Sequence, residues 1–93
     1  MSLQFEWDDA KDRTNIRKHK VSFEEAKTVF NDPDLVTYLD TTHSDAELRF
    51  VNIGQSERGR MLIVIHTERD ERTRIISSRK ATAAERAMYD QGI

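Results

Sequence analysis

The 93-residue sequence contains no cysteine, one proline and three glycines. Without cysteine there is no disulfide scaffold, thiol catalysis, iron–sulfur cluster or cysteine-containing zinc site, so the fold rests on its apolar core. Pro33 is the single proline and no Gly/Ser tract occurs, so nothing along the chain reads as a linker. Gly54, Gly59 and Gly92 are too scattered to form a phosphate loop. No apolar run approaches the roughly 18 residues that cross a bilayer. The first residues, with Glu6, Asp8 and Asp9, lack the basic-then-apolar layout of a secretory signal. A cytoplasmic protein with no membrane partner is expected. His19, His43 and His66 show no metal-ligand spacing, and no metal or other cofactor is expected.

What is present is charge, interrupted by short apolar stretches. Charged residues make up 34% and hydrophobic residues 37% of the chain, with a mean hydropathy of −0.76. This length suits one domain, residues 1–93, and is too short for two cores. The net charge of −2 argues against a nucleic-acid partner on average, but it is unevenly spread. Residues 1–45 hold six Lys/Arg against ten Asp/Glu, whereas residues 46–80 hold eight against five. Seven of those eight are arginines: Arg49, Arg58, Arg60, Arg69, Arg72, Arg74 and Arg79. The planar guanidinium grips phosphate or carboxylate oxygens in pairs.

Residues 4–7 alternate polar and aromatic side chains like a short strand, and Asp8 or Asp9 can cap a polar helix reaching about His19. Ser22-Phe23-Glu24-Glu25 has capping-box spacing and opens a second helix, which Asn31-Asp32-Pro33 stops. Strands follow at Leu35–Leu39, Glu47–Gln55, Arg60–Thr67 and Thr73–Ser78, with turns at Ser56–Gly59 and Asp70-Glu71. Met61 to Ile65 is apolar at every position, which predicts a central strand covered on both faces. Thr82-Ala83-Ala84-Glu85 is a second capping-box match, opening a helix that ends near Gly92. The class is α+β: a small antiparallel sheet with two N-terminal helices and a C-terminal helix packed against it.

Cleaving RNA without a metal takes a base for the 2′-hydroxyl proton, cations for the charge that builds on phosphorus, and an acid for the leaving oxygen. Arginine with histidine or glutamate can supply all three. Strand alternation sets Glu47 and Arg49 on one face, and Ile75, Ser77 and Arg79 on one face of the last strand. His19 sits at a helix end, where dipole stabilisation is the commoner role. His66, on an apolar strand, reads as a core histidine, and Glu47 can equally pair with an arginine across the sheet. A non-enzymatic partner-binding module and an RNA-binding domain without cleavage fit the same residues.

The string Phe5-Glu6-Trp7-Asp8, then Lys11, Asn15 and Lys18-His19, and the run VSFEEAKTVFNDP resemble the BrnT-type toxins of bacterial type II toxin–antitoxin systems. The likeness continues through Glu47-x-Arg49-Phe50, Ile53-Gly54, Gly59-Arg60, HTER at 66–69, RIISSRKAT at 74–82, Glu85-Arg86 and Tyr89. It implies a RelE-like fold and an endoribonuclease that inhibits growth. It also implies a hetero-oligomer with a ribbon-helix-helix antitoxin, through which alone the toxin reaches DNA. On this chain the resemblance points to Arg49 and Arg79 at the scissile phosphate, His19 or Glu47 as proton carrier, and Lys11, Lys18, Arg60 and Arg74 along the RNA. Lys20 stands where the family usually has glycine after Lys-His, and a lysine there is expected to reshape the loop that holds His19.

Overall fold

The computed structural model describes residues 3–42 and 46–92; His43 lies outside the described residues. The chain enters through a two-residue strand, β1 (Phe5–Glu6). The Asp8 carboxylate then accepts the N–H groups of Ala10 (2.8 Å) and Lys11 (3.1 Å). These bonds satisfy donors that a helix start leaves free, and α1 runs Asp9–His19. It stops at Lys20, which is left-handed (φ 62°, ψ 30°) and donates its N–H to Ile16 O at 2.9 Å. The glycine-type stop thus forms with lysine in place, contrary to the expected reshaping.

Ser22 Oγ accepts the Glu25 N–H at 3.1 Å and opens α2 (Phe23–Ala26), which tightens into a 3-10 turn over Lys27–Asn31. The second half of this capping box is diverted, because the Glu25 side chain reaches Arg60 instead. Four strands follow: β2 (Val36–Leu39), β3 (Phe50–Gln55), β4 (Met61–Arg69) and β5 (Arg72–Lys80). The β4–β5 turn places Asp70 (φ 51°) and Glu71 (φ 64°) in the left-handed region. Thr82 and Glu85 make a complete capping box for α3 (Ala83–Gln91), which ends on left-handed Gly92.

The sheet order is β1-β5-β4-β3-β2, with β2 to β5 antiparallel and β1 parallel to β5. The expected antiparallel sheet is therefore a mixed one. Nearly the whole chain separates β1 from β5, so no hairpin dictates their relative direction. Two further readings change. β3 starts at Phe50, which leaves Glu47 and Arg49 on its approach. A bulge breaks the alternation of β5: Ile65 pairs with Ser77 but His66 with Ile75, so Ile76 is an extra residue. Ile75 consequently faces α1 and α2, while Ser77 and Arg79 face the opposite side.

On the first face Leu62, Val64 and Ile75 close against Val21, Phe23, Ala26 and Val29, with Phe5, Trp7, Phe30 and Leu35 around them. A Cβ on Gly54 would fall 2.8 Å from Leu35 Cδ1 and 3.1 Å from Val29 Cβ, so this strand approaches the 3-10 turn as only glycine allows. On the second face Val36, Val51, Ile53 and Ile63 pack with Met88 and Tyr89 of α3. Both faces of β4 are covered, as the unbroken apolar run predicts. Asp32 ties α3 down: its carboxylate accepts the Tyr89 hydroxyl (2.7 Å) and the N–H groups of Gln55 (2.8 Å) and Asp34 (2.9 Å). Burial pushes this carboxyl up, but the three donors together outweigh it and hold it below its ordinary value. The Tyr89 hydroxyl, bonded to that carboxylate, is pushed up to about 12. Among the described residues no helix is long and apolar enough to cross a membrane.

Candidate active site along strand β5

α3 covers only part of its sheet face. Beside it opens a cavity of about 370 Å³, lined by Tyr38, Val51, Ile63, Ile65, Arg79 and Glu85 among others. Arg79 Nη1 donates to Glu85 Oε1 at 2.7 Å and Nη2 to Oε2 at 2.8 Å, a two-pronged pair. The Thr82 N–H donates to the same carboxylate at 2.8 Å. Capping α3 and gripping Arg79 are thus one act of Glu85. The arginine bonds, acting against burial, drive the Glu85 carboxyl down to about 2, with help from Thr82. At neutral pH Glu85 is therefore a poor base. It fixes the guanidinium plane, and the 42% exposed Arg79 side chain keeps unspent N–H donors for an incoming anion. Burial, followed by the negative charges of Glu85 and Asp40, raises the Tyr38 hydroxyl above its ordinary value.

A second cavity, about 390 Å³, lies between α1 and the edge of β5, with Lys11, Thr14, Lys18, His19, Ile76 and Ser77 on its walls. It exists because β1 pairs only with Thr73 and Arg74, which leaves the later edge of β5 open for α1. That helix is too polar to dock by an apolar stripe, and the side chain it buries is Asn15. Asn15 Nδ2 donates to Val21 O and Ser78 O, both at 2.8 Å, while its Oδ1 accepts the Ser78 N–H at 3.2 Å. One amide therefore sets Lys11, Lys18 and His19 along β5. Ser77 of this cavity and Arg79 of the first are two positions apart on the same strand face, about 7 Å.

The remaining candidates are dispersed. Glu47 receives Arg69 Nη2 at 3.0 Å. Arg69 lies opposite Arg72, whereas Arg79 lies opposite Ile63, which separates Glu47 from Arg79 by about 20 Å of strand. The backbone of Arg49 accepts the Asp40 N–H at 2.8 Å, so β2–β3 pairing continues one step and alternation assigns Arg49 to the Val51 face. Arg60 clamps the buried Glu25 through Nε (2.9 Å) and Nη2 and also donates to Lys20 O (3.0 Å). These bonds, against burial, hold Glu25 below its ordinary value. Arg74 Nη1 donates to Glu6 at 2.9 Å. His66 is 6% exposed and stacks on Phe50, and its Nδ1 lies 2.7 Å from Asn52 Nδ2. Burial lowers its pKa and keeps it neutral. Sequence reasoning missed Tyr38 and the docking role of Asn15; Asn15 carried a signal as the fourth residue of the motif that contains Lys11, Lys18 and His19.

Residues 7–85 match the family described as "Ribonuclease toxin, BrnT, of type II toxin-antitoxin system". The 1.1 Å crystal structure of the Brucella abortus ribonuclease toxin, BrnT, is similar over 87% of this chain and 99% of that one, with a TM-score of 0.64 and 24% identity. At that identity the likeness carries the fold. No curated protein matches the chain. The matched stretch, residues 7–85 of 93, takes in most of the chain and every residue named on both cavities, and this chain belongs to the BrnT family of ribonuclease toxins of type II toxin–antitoxin systems.

Proposed function

We propose that the chain is a metal-independent endoribonuclease whose cutting of RNA blocks translation and growth, with a ribbon-helix-helix antitoxin as its neutralising partner and its link to DNA. The observation that carries this reading is Arg79, held by Glu85 at the mouth of an open cavity two strand positions from the Lys11, Lys18 and His19 basin. An RNA strand crossing β5 meets the lysines along its backbone and Arg79 at the scissile phosphate. The 2′-hydroxyl gives its proton to the carrier and its oxygen attacks phosphorus, the P–O5′ bond breaks to leave a 2′,3′-cyclic phosphate, and the 5′-oxygen departs with the proton the carrier returns. Arg79 stabilises the added negative charge on the phosphorane. His19 is the proton carrier nearest this path, and Glu85 orients rather than titrates. The closed Arg79–Glu85 pair also supports a second reading, in which the face binds a partner without cleaving RNA.

The test is purified toxin, freed of antitoxin, given end-labelled RNA in EDTA, alone and within translating ribosomes. New 5′-hydroxyl ends are expected, and Arg79→Ala should slow their appearance by about 100-fold or more. Intact RNA in both settings would overturn the nuclease reading in favour of the binding module.

A further inference from the structure

β2 is the outermost strand on its side of the sheet, and its outer edge meets no other strand among the described residues. The register says which groups face outward. The Asp40 N–H donates to Arg49 O, so in this antiparallel ladder Asp40, Tyr38 and Val36 turn their backbone groups toward β3. Thr37 and Leu39 turn theirs away. Apart from its shortness, four residues, this edge is unguarded: β2 has no lysine, proline or bulge. Tyr38 and Leu39 are 38% and 42% exposed. An open groove of about 710 Å³ runs beside the start of the same strand, between Asp34–Thr37 and the end of α3. Its rim carries Asp34 and Asp90, and the C-terminal carbonyls of α3 add negative potential.

We infer that this edge receives the antitoxin as a sixth strand: an extended segment hydrogen-bonds to Thr37 and Leu39 and sets basic side chains against Asp34 and Asp90. The inference rests on the toxin–antitoxin reading. Charge selects this occupant over a second copy of the chain, because β2 against β2 would bring Asp34 and Asp90 of one copy toward Asp40 of the other. An added strand lies about 4.8 Å beyond β2. Its side chains on the Tyr38 face then reach the mouth of the Arg79 cavity, so docking and neutralisation become one event.

The experiment is residue-resolved hydrogen exchange on the toxin, alone and bound to the full-length antitoxin encoded beside it. The Thr37 and Leu39 amides are expected to slow by about tenfold or more on binding, while the Tyr38 amide, already bonded to β3, changes little. Leu39→Pro removes an outward N–H without touching the β2–β3 bonds. It should weaken antitoxin binding by about 100-fold, while the Tyr38 amide keeps its protection by β3 and so reports an intact fold. Asp34→Asn with Asp90→Asn should weaken binding about three- to tenfold, with the difference shrinking at high salt. An antitoxin that binds and inhibits while both edge amides stay unprotected overturns the sixth strand and leaves the toxin–antitoxin reading standing; no binding at all overturns both. Protection of these amides by self-association of the free toxin overturns the choice of partner. If Leu39→Pro does not fold, the exchange measurement on the native chain decides.

Discussion

On the sheet face toward α1 and α2, apolar residues from Val21 to Ile75 close the larger of two cores. The amides buried there are all engaged: Asn15 on Ser78 and Val21, Asn52 on Val64 and His66. On the face toward α3 the apolar patch is smaller, an open cavity replaces part of the cover, and the buried Thr67 hydroxyl finds no hydrogen-bond partner among the described residues. The same five strands thus carry one side built for stability and one side left unfinished. For the nuclease we propose, a surface that takes up an RNA backbone cannot already be filled, and stability surrendered there is recovered on the other side.

The sharpest way to break this comparison is to damage the closed face. Leu62 is fully buried between the sheet and α2, and Leu62→Ala should cost about 2–5 kcal/mol of unfolding free energy, read from urea melts. The cleavage rate per folded molecule should stay near wild type. A variant that keeps its stability would mean the core relaxes around the loss, and a folded variant that loses cleavage would mean the two faces are coupled.

The next effect belongs to the open face and is set by pH. The folded pKa of Glu85 is depressed to about 2 from an ordinary 4.5. The Arg79–Glu85 pair therefore contributes its full stability above about pH 4.5, and the contribution is lost as pH falls toward 2. Allowing for the half-exposed partner, the contribution is about 2 kcal/mol. Glu25, Asp32, Glu6 and Asp8 are also depressed and weaken in the same acid range, so the informative quantity is the difference between wild type and Glu85→Gln. That difference should be largest at neutral pH and close up below about pH 3. A gap that persists at pH 2 would assign the loss to the helix cap rather than the ion pair.

Legibility in the sequence divides along similar lines. Features fixed by neighbours in the chain could be read: the caps at Asp8, Ser22 and Thr82, the stop at Gly92, and β4 from its unbroken apolar run. Features that depend on partners far along the chain could not. The direction of β1 is set by Thr73 and Arg74, the extra Ile76 takes Ile75 off the face that Ser77 and Arg79 share, and the Ser22 box is cut in half because Glu25 is claimed by Arg60. The candidate site follows the same rule. Lys11, Lys18 and His19 share one short helix and arrive together. Glu47, on the approach to β3, meets Arg69 beside the β4–β5 turn, while Arg79 lies at the far end of β5, and no periodicity reveals that pairing.

The smallest effect tests how the loop after α1 is shaped. Lys20 holds a left-handed conformation that costs a lysine about 1 kcal/mol relative to glycine. Three bonds keep it there: its N–H to Ile16 O, its carbonyl from Arg60 Nη2, and its ammonium to Arg17 O at 3.3 Å. The first two are backbone contacts that survive in Lys20→Gly, and the third is exposed and contributes little. Glycine also loosens the unfolded chain, which offsets part of the relief. The variant should therefore gain about 0.5 kcal/mol, a rise of a few degrees in Tm for a domain of this size. Because the backbone path to Lys18 and His19 is unchanged, cleavage should not move. A destabilised Lys20→Gly would show that the lysine side chain, and not the Arg60 clamp on its carbonyl, holds the end of α1 in place.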